Sequence, residues 1–280
     1  MSGSAPLAPI VKWAGGKRQL LSDIIPLIPH DYSVYCEPFV GGAAVLLKVV
    51  PEKAVINDAN DGLIELYRVV RDSVEDLIAD LKTHENTKEH YYDLRALDRD
   101  EDAFSELDPI KRASRFVFLN KTCYNGLFRV NTAGQFNVPF GSYKNPNIVN
   151  EDGLRALSAY FNENDVSINC GDFAKVLDSL PDDAFVYLDP PYDPLSTSAS
   201  FTGYTAGGFD RVQQIRLREA CDKLNSRGIR FLLSNSDTSF IREQYGNYAI
   251  DTVLANRHVN SRADGRGSVN EVLVRNFEIS

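Results

Sequence analysis

Short apolar runs that alternate with helical stretches constrain this chain more than any other feature of its sequence. Six runs have the length and composition of strands: YCEPFV (35–40), AVIND (54–58), VSIN (166–169), AFVYLD (184–189), IRFLLSN (229–235) and VNEVLVRNF (269–277). Most of them are followed by helical segments such as GLIELYRVVRD and VQQIRLREACDKLNSRG. Strands that alternate with helices predict an α/β fold, with a mostly parallel sheet covered by helices on both faces.

The alternation stops between residues 73 and 164, where helical segments follow one another without a core-type strand. They lead into FRVNTAGQFNVPFG, in which Asn131-Thr132-Ala133-Gly134 supplies turn residues between two short alternating runs. We therefore predict that residues 73–164 form an inserted helical subdomain with a β-hairpin, and that residues 1–72 and 165–280 form the main domain.

Charge is distributed unevenly along the chain. The net charge of -9 argues against a protein that coats nucleic acid by its overall charge. Between Lys111 and Lys144, however, there is no acidic residue, and aromatic side chains alternate with six cations: Lys111, Arg112, Arg115, Lys121, Arg129 and Lys144. This segment is either a local basic surface or a solvated helix face followed by an ordinary hairpin.

Cysteines and histidines give no sign of a metal site. The four cysteines, Cys36, Cys123, Cys170 and Cys221, form no C-x-x-C pair, and the four histidines lack zinc-ligand spacing. We expect reduced thiols and no metal. No apolar run approaches the roughly 18 residues of a membrane span, and MSGSAPLAP has no signal-peptide pattern, so we expect a cytoplasmic protein.

A glycine turn follows the first predicted strand, in CEPFVGGAAVLLKVV (36–50). Gly41 and Gly42 would let a ligand approach the backbone, and the helix predicted after them would offer unpaired N–H groups. The pattern favours a nucleotide-like cofactor. Neither the G-x-G-x-x-G pattern nor the G-K-[ST] phosphate loop is present, so hydride transfer and NTP hydrolysis have no direct support.

Asp58 ends the second predicted strand, in VINDAN. An acidic residue at this tip is placed to accept hydrogen bonds from the hydroxyls of a ribose. The alternative is that Asp58 or Asp61 caps the helix that begins near Gly62. The N-terminal segment VKWAGGKRQLL (11–21) is similarly open to two interpretations, a flexible lead-in to a helix or a cationic loop over an anionic or carboxylate-bearing ligand.

A predicted buried strand runs directly into Asp189-Pro190-Pro191-Tyr192. The prolines prevent further ladder pairing and an immediate helix, so the chain is stiff at the sheet edge where α/β proteins bind ligands. The exocyclic amino group of a nucleobase is a weak nucleophile because its lone pair is delocalised into the ring. A carboxylate and a fixed carbonyl that accept its protons would restore the lone pair, and a tyrosine would stack on the extruded base. A structural strand terminator is the alternative.

The motifs DPPY, PFVGG and KWAGGK, in the order in which they occur, resemble those of the Dam-type DNA adenine-N6 methyltransferases, the α-group or D12 class. The similarity covers Lys12 to Phe277, and NKTCYNGLFRVNTAGQFNVPFGSYKNP resembles the recognition hairpin of GATC-specific members. It implies a Rossmann-like methyltransferase sheet as the catalytic domain, with residues 73–164 as the target-recognition domain for double-stranded DNA. It also implies base flipping and direct transfer from S-adenosyl-L-methionine, for which no nucleophilic cysteine is needed.

The resemblance assigns roles to single residues. The cofactor site would comprise Trp13, Lys17, Phe39, Gly41, Asp58, Asp172, Phe173 and Asp189. Asp189, the carbonyl of Pro190 and the ring of Tyr192 would act on the target adenine as catalytic residues. The DNA contacts would be Lys12 at the first guanine, Tyr124 and Asn125 where the duplex opens, Leu127, Arg129 and Pro139 at the remaining bases, and Tyr143.

Other functions remain open at this stage. The same four-residue motif could present the amine of cytosine N4 or of an RNA adenine, and a catalytically silent DNA-binding regulator could keep the fold. A nucleotide-cofactor oxidoreductase lacks its glycine fingerprint. We further expect RHVNSRADGRG (257–267) to contribute to a one-sided basic surface, and the protein to be a monomer, with a cognate restriction endonuclease as an open functional partner.

Overall fold

A computed structural model of the chain describes residues 6–13, 15–195, 208–256 and 268–279. The strands in these ranges are β1 (Tyr35–Glu37), β2 (Lys53–Asp58), β3 (Asp165–Cys170), β4 (Phe185–Leu188), β5 (Arg230–Ser236), β6 (Ala249–Asn256) and β7 (Ser268–Arg275). They form one sheet in the order β3-β2-β1-β4-β5-β7-β6. The first five strands are parallel, and β7 pairs antiparallel with both β5 and β6. The predicted mostly parallel α/β sheet is confirmed.

Eleven helices surround the sheet in the described part of the chain. They are α1 (Leu21–Ile24), α2 (Leu46–Val49), α3 (Asp61–Asp72), α4 (Val74–Leu81), α5 (Lys88–Ala96), α6 (Glu101–Ser105), α7 (Pro109–Thr122), α8 (Glu151–Glu163), α9 (Phe173–Asp178), α10 (Arg211–Ser226) and α11 (Ser239–Gln244). Short 3-10 turns occur at Lys17–Gln19, Ile25–Leu27, Leu97–Arg99 and Tyr124–Gly126. None of the helices in the described ranges has the length and apolar content of a membrane span.

Side chains alternate between two apolar layers, which explains the continuous apolar run of β4. Phe185 and Tyr187 join the layer formed with α3, α4, α7 and α8, whereas Val186 and Leu188 join the layer formed with α9, α10 and α11. Successive residues of a strand point to opposite faces, so a strand buried on both faces must be apolar throughout. The strand therefore leaves polar residues only at its carboxyl end.

Two local predictions were wrong. Strand β6 was not predicted, because its sequence AIDTVLAN is neither a continuous apolar run nor a strict alternation of apolar and polar residues, and β6 lies at the edge of the sheet. The helix predicted directly after Gly42 begins only at Leu46 and is four residues long. The turn continues through Ala43, whose φ of +59° is incompatible with a right-handed helix.

The predicted hairpin is present as a compact antiparallel turn rather than as two full strands. Val130 and Phe136 form an isolated antiparallel bridge, and the Asn131 amide donates to the Gln135 carbonyl at 2.9 Å. Its base rests on a small apolar core of its own: Tyr91, Phe118, Leu119, Cys123, Phe136 and Val138. Because α4, α7 and α8 also pack in the main core, the predicted boundaries at residues 73 and 164 do not separate two independent cores.

Candidate active site and DNA-binding surface

Side-chain alternation brings three carboxylates to one face of the sheet near the carboxyl ends of the parallel strands. Glu37 follows Tyr35 by two residues, and Asp189 follows Tyr187 by two, so each shares the face of its tyrosine. Glu271 reaches the same region from β7. Burial is the main cause that raises the pKa of Asp189 to about 6 and that of Glu37 to about 8, and neighbouring carboxylates add to both shifts.

Lys17 is the cation that lies next to these three carboxylates and partly compensates their negative charge. Its Nζ lies 2.7 Å from Asp189 Oδ1, donates to the Gly15 carbonyl at 2.8 Å, and lies 4.5 Å from the ring centroid of Tyr192. The pairing lowers the pKa of Asp189 against the effect of burial. No described residue donates to Asp189 Oδ2, so this oxygen can accept a hydrogen bond from a ligand.

Amide side chains hold the DPPY loop from beneath. Gln214 donates to the Pro191 carbonyl at 2.7 Å and accepts from Asn235 at 3.1 Å, while Asn235 accepts from the Asp193 amide at 3.1 Å. None of the described residues donates to the Pro190 carbonyl. Roles for Gln214 and Asn235 were not predicted from the sequence, although the polar residues that end IRFLLSN indicate the tip of the neighbouring strand.

Asp193, the residue after the tyrosine, anchors the loop. Its side chain is fully buried and accepts from Arg211 Nε at 3.0 Å and from Thr238 Oγ1 at 2.8 Å. Its carbonyl also accepts from Ser236 at 2.7 Å. Because the loop is fixed on both sides, Asp189 and Tyr192 keep a defined relative position.

A second set of residues lies at the tips of β1 and β2. Gly41 has a φ of +46°, and a Cβ at this position would lie 2.7 Å from Cδ1 of Trp13. Its amide donates to Asp58 Oδ2 at 3.0 Å, and the Asn60 amide donates to Asp58 Oδ1 at 2.9 Å. Because a carboxylate has about four acceptor positions, Asp58 can still accept from a further donor. A bulkier residue than glycine does not fit this turn.

The capping alternative for Asp58 and Asp61 is wrong. Asn60 is the N-cap of α3, and its side chain accepts from the Leu63 amide at 2.9 Å. Asp58 is instead half-buried, and burial raises its pKa although three backbone amides act against the shift. A half-buried carboxylate with a raised pKa that does not cap a helix is suited to bind a ligand.

Aromatic rings form an apolar floor beside this turn. The ring centroid of Phe39 lies 5.1 Å from that of Phe173 and 5.7 Å from that of Phe209. Asp172 precedes Phe173, caps α9 and forms a two-pronged ion pair with Arg216 at 2.6 and 2.7 Å, which lowers the pKa of Asp172. The predicted cofactor residues therefore surround one edge of the sheet, with Asp172 already engaged by Arg216.

The N-terminal segment joins this site to the inserted subdomain. Lys12 exchanges two backbone hydrogen bonds with the side chain of Asn120, both 2.7 Å long, and Trp13 stacks on Phe128 at 5.4 Å. The Lys12 Nζ lies 4.0 Å from the ring centroid of Tyr143. Two predicted DNA contacts, Lys12 and Tyr143, are thus adjacent, and residues 11–13 are packed rather than a flexible lead-in.

Tyr124 and Asn125 form a projecting turn next to Lys12. The Tyr124 side chain is 53% exposed although it is large and aromatic, and Asn125 and Gly126 have φ values of +56° and +62°. The Tyr124 amide donates to the carbonyl of the exposed Pro139 at 2.9 Å. A strained turn that holds an aromatic ring in solvent is consistent with the predicted entry into DNA.

Arg129 lies at the base of the hairpin. Its Nε donates to Asn137 Oδ1 at 2.6 Å, so the guanidinium is fixed in direction while half exposed. Leu127, two residues earlier, is half-buried, and its carbonyl lies 3.2 Å from the Cys123 Sγ. Two of the side chains predicted to read bases, Leu127 and Arg129, therefore follow the projecting turn directly, whereas Lys12 and Pro139 come from other parts of the chain.

The basic segment between Lys111 and Lys144 is not uniform. Arg112 binds Glu65 at 2.5 Å, and the buried Arg115 binds Asp98 at 2.9 Å, so these two cations serve packing within the protein. Lys121 has no carboxylate within ion-pair distance among the described residues. Burial lowers the pKa of Lys121 to about 8, and Lys12 and Arg18 add to this effect. The local basic surface is therefore narrower than predicted, and residues 257–267 lie outside the described ranges.

Comparison with known proteins identifies the family. Residues 13–259 match the D12 class N6 adenine-specific DNA methyltransferases. The chain is 43% identical to Type II methyltransferase M1.LlaDCHI of Lactococcus lactis subsp. cremoris, with 97% of this chain and 96% of that protein covered. It is 41% identical to Type II methyltransferase M.MjaIII of Methanocaldococcus jannaschii, covering 96% and 99%. It is 35% identical to the DNA adenine methylase of Escherichia coli (strain K12), covering 94% and 93%. The chain thus belongs to the D12 class of N6 adenine-specific DNA methyltransferases.

Proposed function

We propose that this protein transfers a methyl group from S-adenosyl-L-methionine to N6 of adenine in double-stranded DNA, at GATC, after the adenine has been flipped out of the helix. The observation that carries the proposal is the Asp189 carboxylate, which shares one oxygen with Lys17 and keeps the other available. Beside it lie the Pro190 carbonyl and the Tyr192 ring. These three groups match the needs of an exocyclic amine on a flat base.

The residues at the tips of β1 and β2 fit the proposed cofactor. Gly41 permits close approach to the backbone, Asp58 offers lone pairs to the ribose hydroxyls, and Phe39 lies in the aromatic floor where a purine can pack. When bound, S-adenosyl-L-methionine supplies an electrophilic methyl group on a sulfonium. The chain therefore needs to position the amine, exclude water and hold charge, without a covalent intermediate.

Asp189 acts on the amine as a hydrogen-bond acceptor. With a pKa of about 6, it is mostly ionised at neutral pH, and its free oxygen can accept one N6 proton while the Pro190 carbonyl accepts the other. Drawing both protons toward oxygen returns lone-pair density to nitrogen and directs it away from these acceptors. The ring of Tyr192 then limits the base to one plane.

The DNA-facing residues support GATC as the site. Lys12, the exposed Tyr124 and the braced Arg129 occur in the order that resembles GATC-specific members, and all lie on the surface that includes the hairpin. Two relatives are named Type II methyltransferases, so a cognate restriction endonuclease is the functional partner that we propose. Because one base is flipped per event, we also propose that the protein is a monomer and that it acts in the cytoplasm.

The deciding experiment is methyl transfer from labelled S-adenosyl-L-methionine to a set of duplexes. The set contains GATC, a single-base variant at each position, and GATC already methylated at N6 on both strands. We expect transfer to GATC that is lost on the methylated duplex and reduced on every variant. Transfer to RNA or to cytosine in place of these would favour the alternative amine substrates. Cofactor binding without any transfer would favour a silent regulator.

Replacing Arg129 by alanine is expected to relax discrimination at one base position. A bidentate contact from arginine to guanine contributes about 1–3 kcal/mol of discrimination, so transfer to the matching single-base variant should approach transfer to GATC within about tenfold. Lys121→Gln is the matched control, because an unpaired cation on the DNA side should contact phosphate and weaken all duplexes equally. Equal losses for Arg129→Ala on every duplex would contradict base reading by Arg129.

The pH dependence of kcat/KM should follow Asp189. The ionised carboxylate is the active form, so activity is expected to fall about tenfold per pH unit below its pKa of about 6. Lys17 lowers this pKa, so Lys17→Met should move the acidic limb to higher pH. Lys53→Gln is the control, because Lys53 begins β2 at the amino ends of the parallel strands, and it should leave the pH profile of kcat/KM unchanged. An acidic limb that does not move in Lys17→Met would exclude Asp189 as the titrating group.

A further inference from the structure

We propose that Glu271 is a positioning residue that acts through Tyr192, fixing the plane of the ring against which the target base stacks. The inference rests on the proposed function and deepens it. The Tyr192 hydroxyl donates to Glu271 Oε2 at 2.7 Å. A tyrosine that serves as a stacking surface must resist rotation about its side-chain torsions. A hydrogen bond at the far end of the ring supplies this restraint.

The anchor comes from the sheet and not from the loop that carries the tyrosine. Glu271 lies on β7, where it pairs with Ser236 of β5 and Val253 of β6. On the backbone side, Asp193, the residue after Tyr192, is held by hydrogen bonds with Asn235 and Thr238. The hydroxyl end of the Tyr192 ring is therefore fixed by β7, and the backbone that carries the ring is fixed by the contacts of Asp193.

The charge of Glu271 argues for a role beyond stability. This half-buried carboxylate has no cation within ion-pair distance among the described residues, and its one side-chain hydrogen bond in these ranges comes from Tyr192. Its negative charge raises the pKa of Asp189, which opposes ionisation of the catalytic carboxylate. Burying a charge costs free energy, and the charge of Glu271 disfavours ionisation of Asp189. A charged acceptor for the Tyr192 hydroxyl, which forms a stronger hydrogen bond than a neutral one, explains why a carboxylate occupies this position.

Tyr192 is well suited to be the donor in this pair. Burial, together with the charges of Asp189 and Glu271, raises the pKa of Tyr192 well above its ordinary value, so the hydroxyl keeps its proton. Lys17 lies over the ring, 4.5 Å from its centroid, and does not compete for the hydroxyl. The contact therefore persists across the pH range in which Asp189 is ionised.

Four variants of the full-length protein test the inference: Glu271→Ala, Glu271→Gln, Tyr192→Phe and the double variant Glu271→Ala/Tyr192→Phe. We measure kcat, the KM for S-adenosyl-L-methionine, and the fluorescence of 2-aminopurine placed at the target adenine. Glu271→Ala should lower kcat about tenfold, the value of a hydrogen bond to a charged group, and leave the cofactor KM within about twofold. Glu271→Gln should restore most of the activity, because an amide oxygen still accepts from the phenol.

Tyr192→Phe keeps the ring but loses the donor, so it should match Glu271→Ala in kcat and in fluorescence change, and the double variant should be no worse than either. Glu278→Ala, an exposed carboxylate after the same strand, is the control and should behave as wild type. Additive losses, or unchanged kcat and fluorescence in Glu271→Ala, would overturn the role of Glu271. Failure of the wild-type protein to methylate adenine would instead overturn the proposed function, and the positioning role with it.

Discussion

Replacing Asp189 by alanine is expected to lower kcat for adenine methylation by about 10³-fold, which is the range for removing one oriented charged group from a reaction centre. The carboxylate directly precedes Pro190 in the chain, and its partner Lys17 lies 4.5 Å from the ring centroid of Tyr192, so Asp189 is the charged acceptor that we assign to the amine. Without it, the amine keeps its delocalised lone pair, and Lys17 remains as a buried cation without its partner.

The Asp189→Ala measurement needs a separation of chemistry from binding. Single-turnover transfer to GATC reports the chemical step, and calorimetric titration of S-adenosyl-L-methionine reports the cofactor site, where we expect a change of less than about tenfold. Asp237→Ala is the matched control, because this carboxylate pairs with Arg242 at 2.6 Å on another loop at the sheet edge. Single-turnover rates within tenfold of wild type for Asp189→Ala would show that the amine is activated by another group.

Local chemistry explains why the sheet and the DPPY loop could be predicted from the sequence. The apolar run of β4 must be buried on both faces, and two prolines must end it, so Asp189 and Tyr192 had to lie at the carboxyl edge. The hairpin was predicted for the same kind of reason. Gly134 adopts a φ of +76° in the turn, and the residues that flank the turn pair as expected.

The partners of these residues could not be predicted, because they depend on contacts between distant parts of the chain. Lys17 reaches Asp189, and Glu271 reaches Tyr192, across separations that no periodicity encodes. Composition also gave a wrong indication for Arg115. The sequence places this residue in a basic segment, but its side chain is buried and forms an ion pair with Asp98. A count of charges along the sequence cannot separate cations that face DNA from cations that hold the fold together.

Replacing Asp58 by alanine is expected to raise the dissociation constant of S-adenosyl-L-methionine about 100-fold, because two hydrogen bonds from ribose hydroxyls to a charged acceptor would be lost. The same change leaves the amides of Gly41 and Asn60 without their acceptor, so the glycine turn would also lose its support. Both effects lower the affinity for S-adenosyl-L-methionine. The affinity for duplex DNA of the surface around Lys12 and Tyr124 is expected to stay unchanged.

Calorimetric titration with S-adenosyl-L-methionine tests this expectation without relying on activity. Asp61→Ala is the matched control, since that exposed carboxylate lies three residues away and, within the described ranges, accepts a hydrogen bond only from the neighbouring Gly62 amide. Asp58→Asn separates the two causes: it keeps one acceptor oxygen for the turn and removes the charge that strengthens the ribose contacts, so intermediate affinity is expected. Native affinity in Asp58→Ala together with a large loss in Asp172→Ala would place the ribose at the Arg216 pair and overturn the assignment of Asp58.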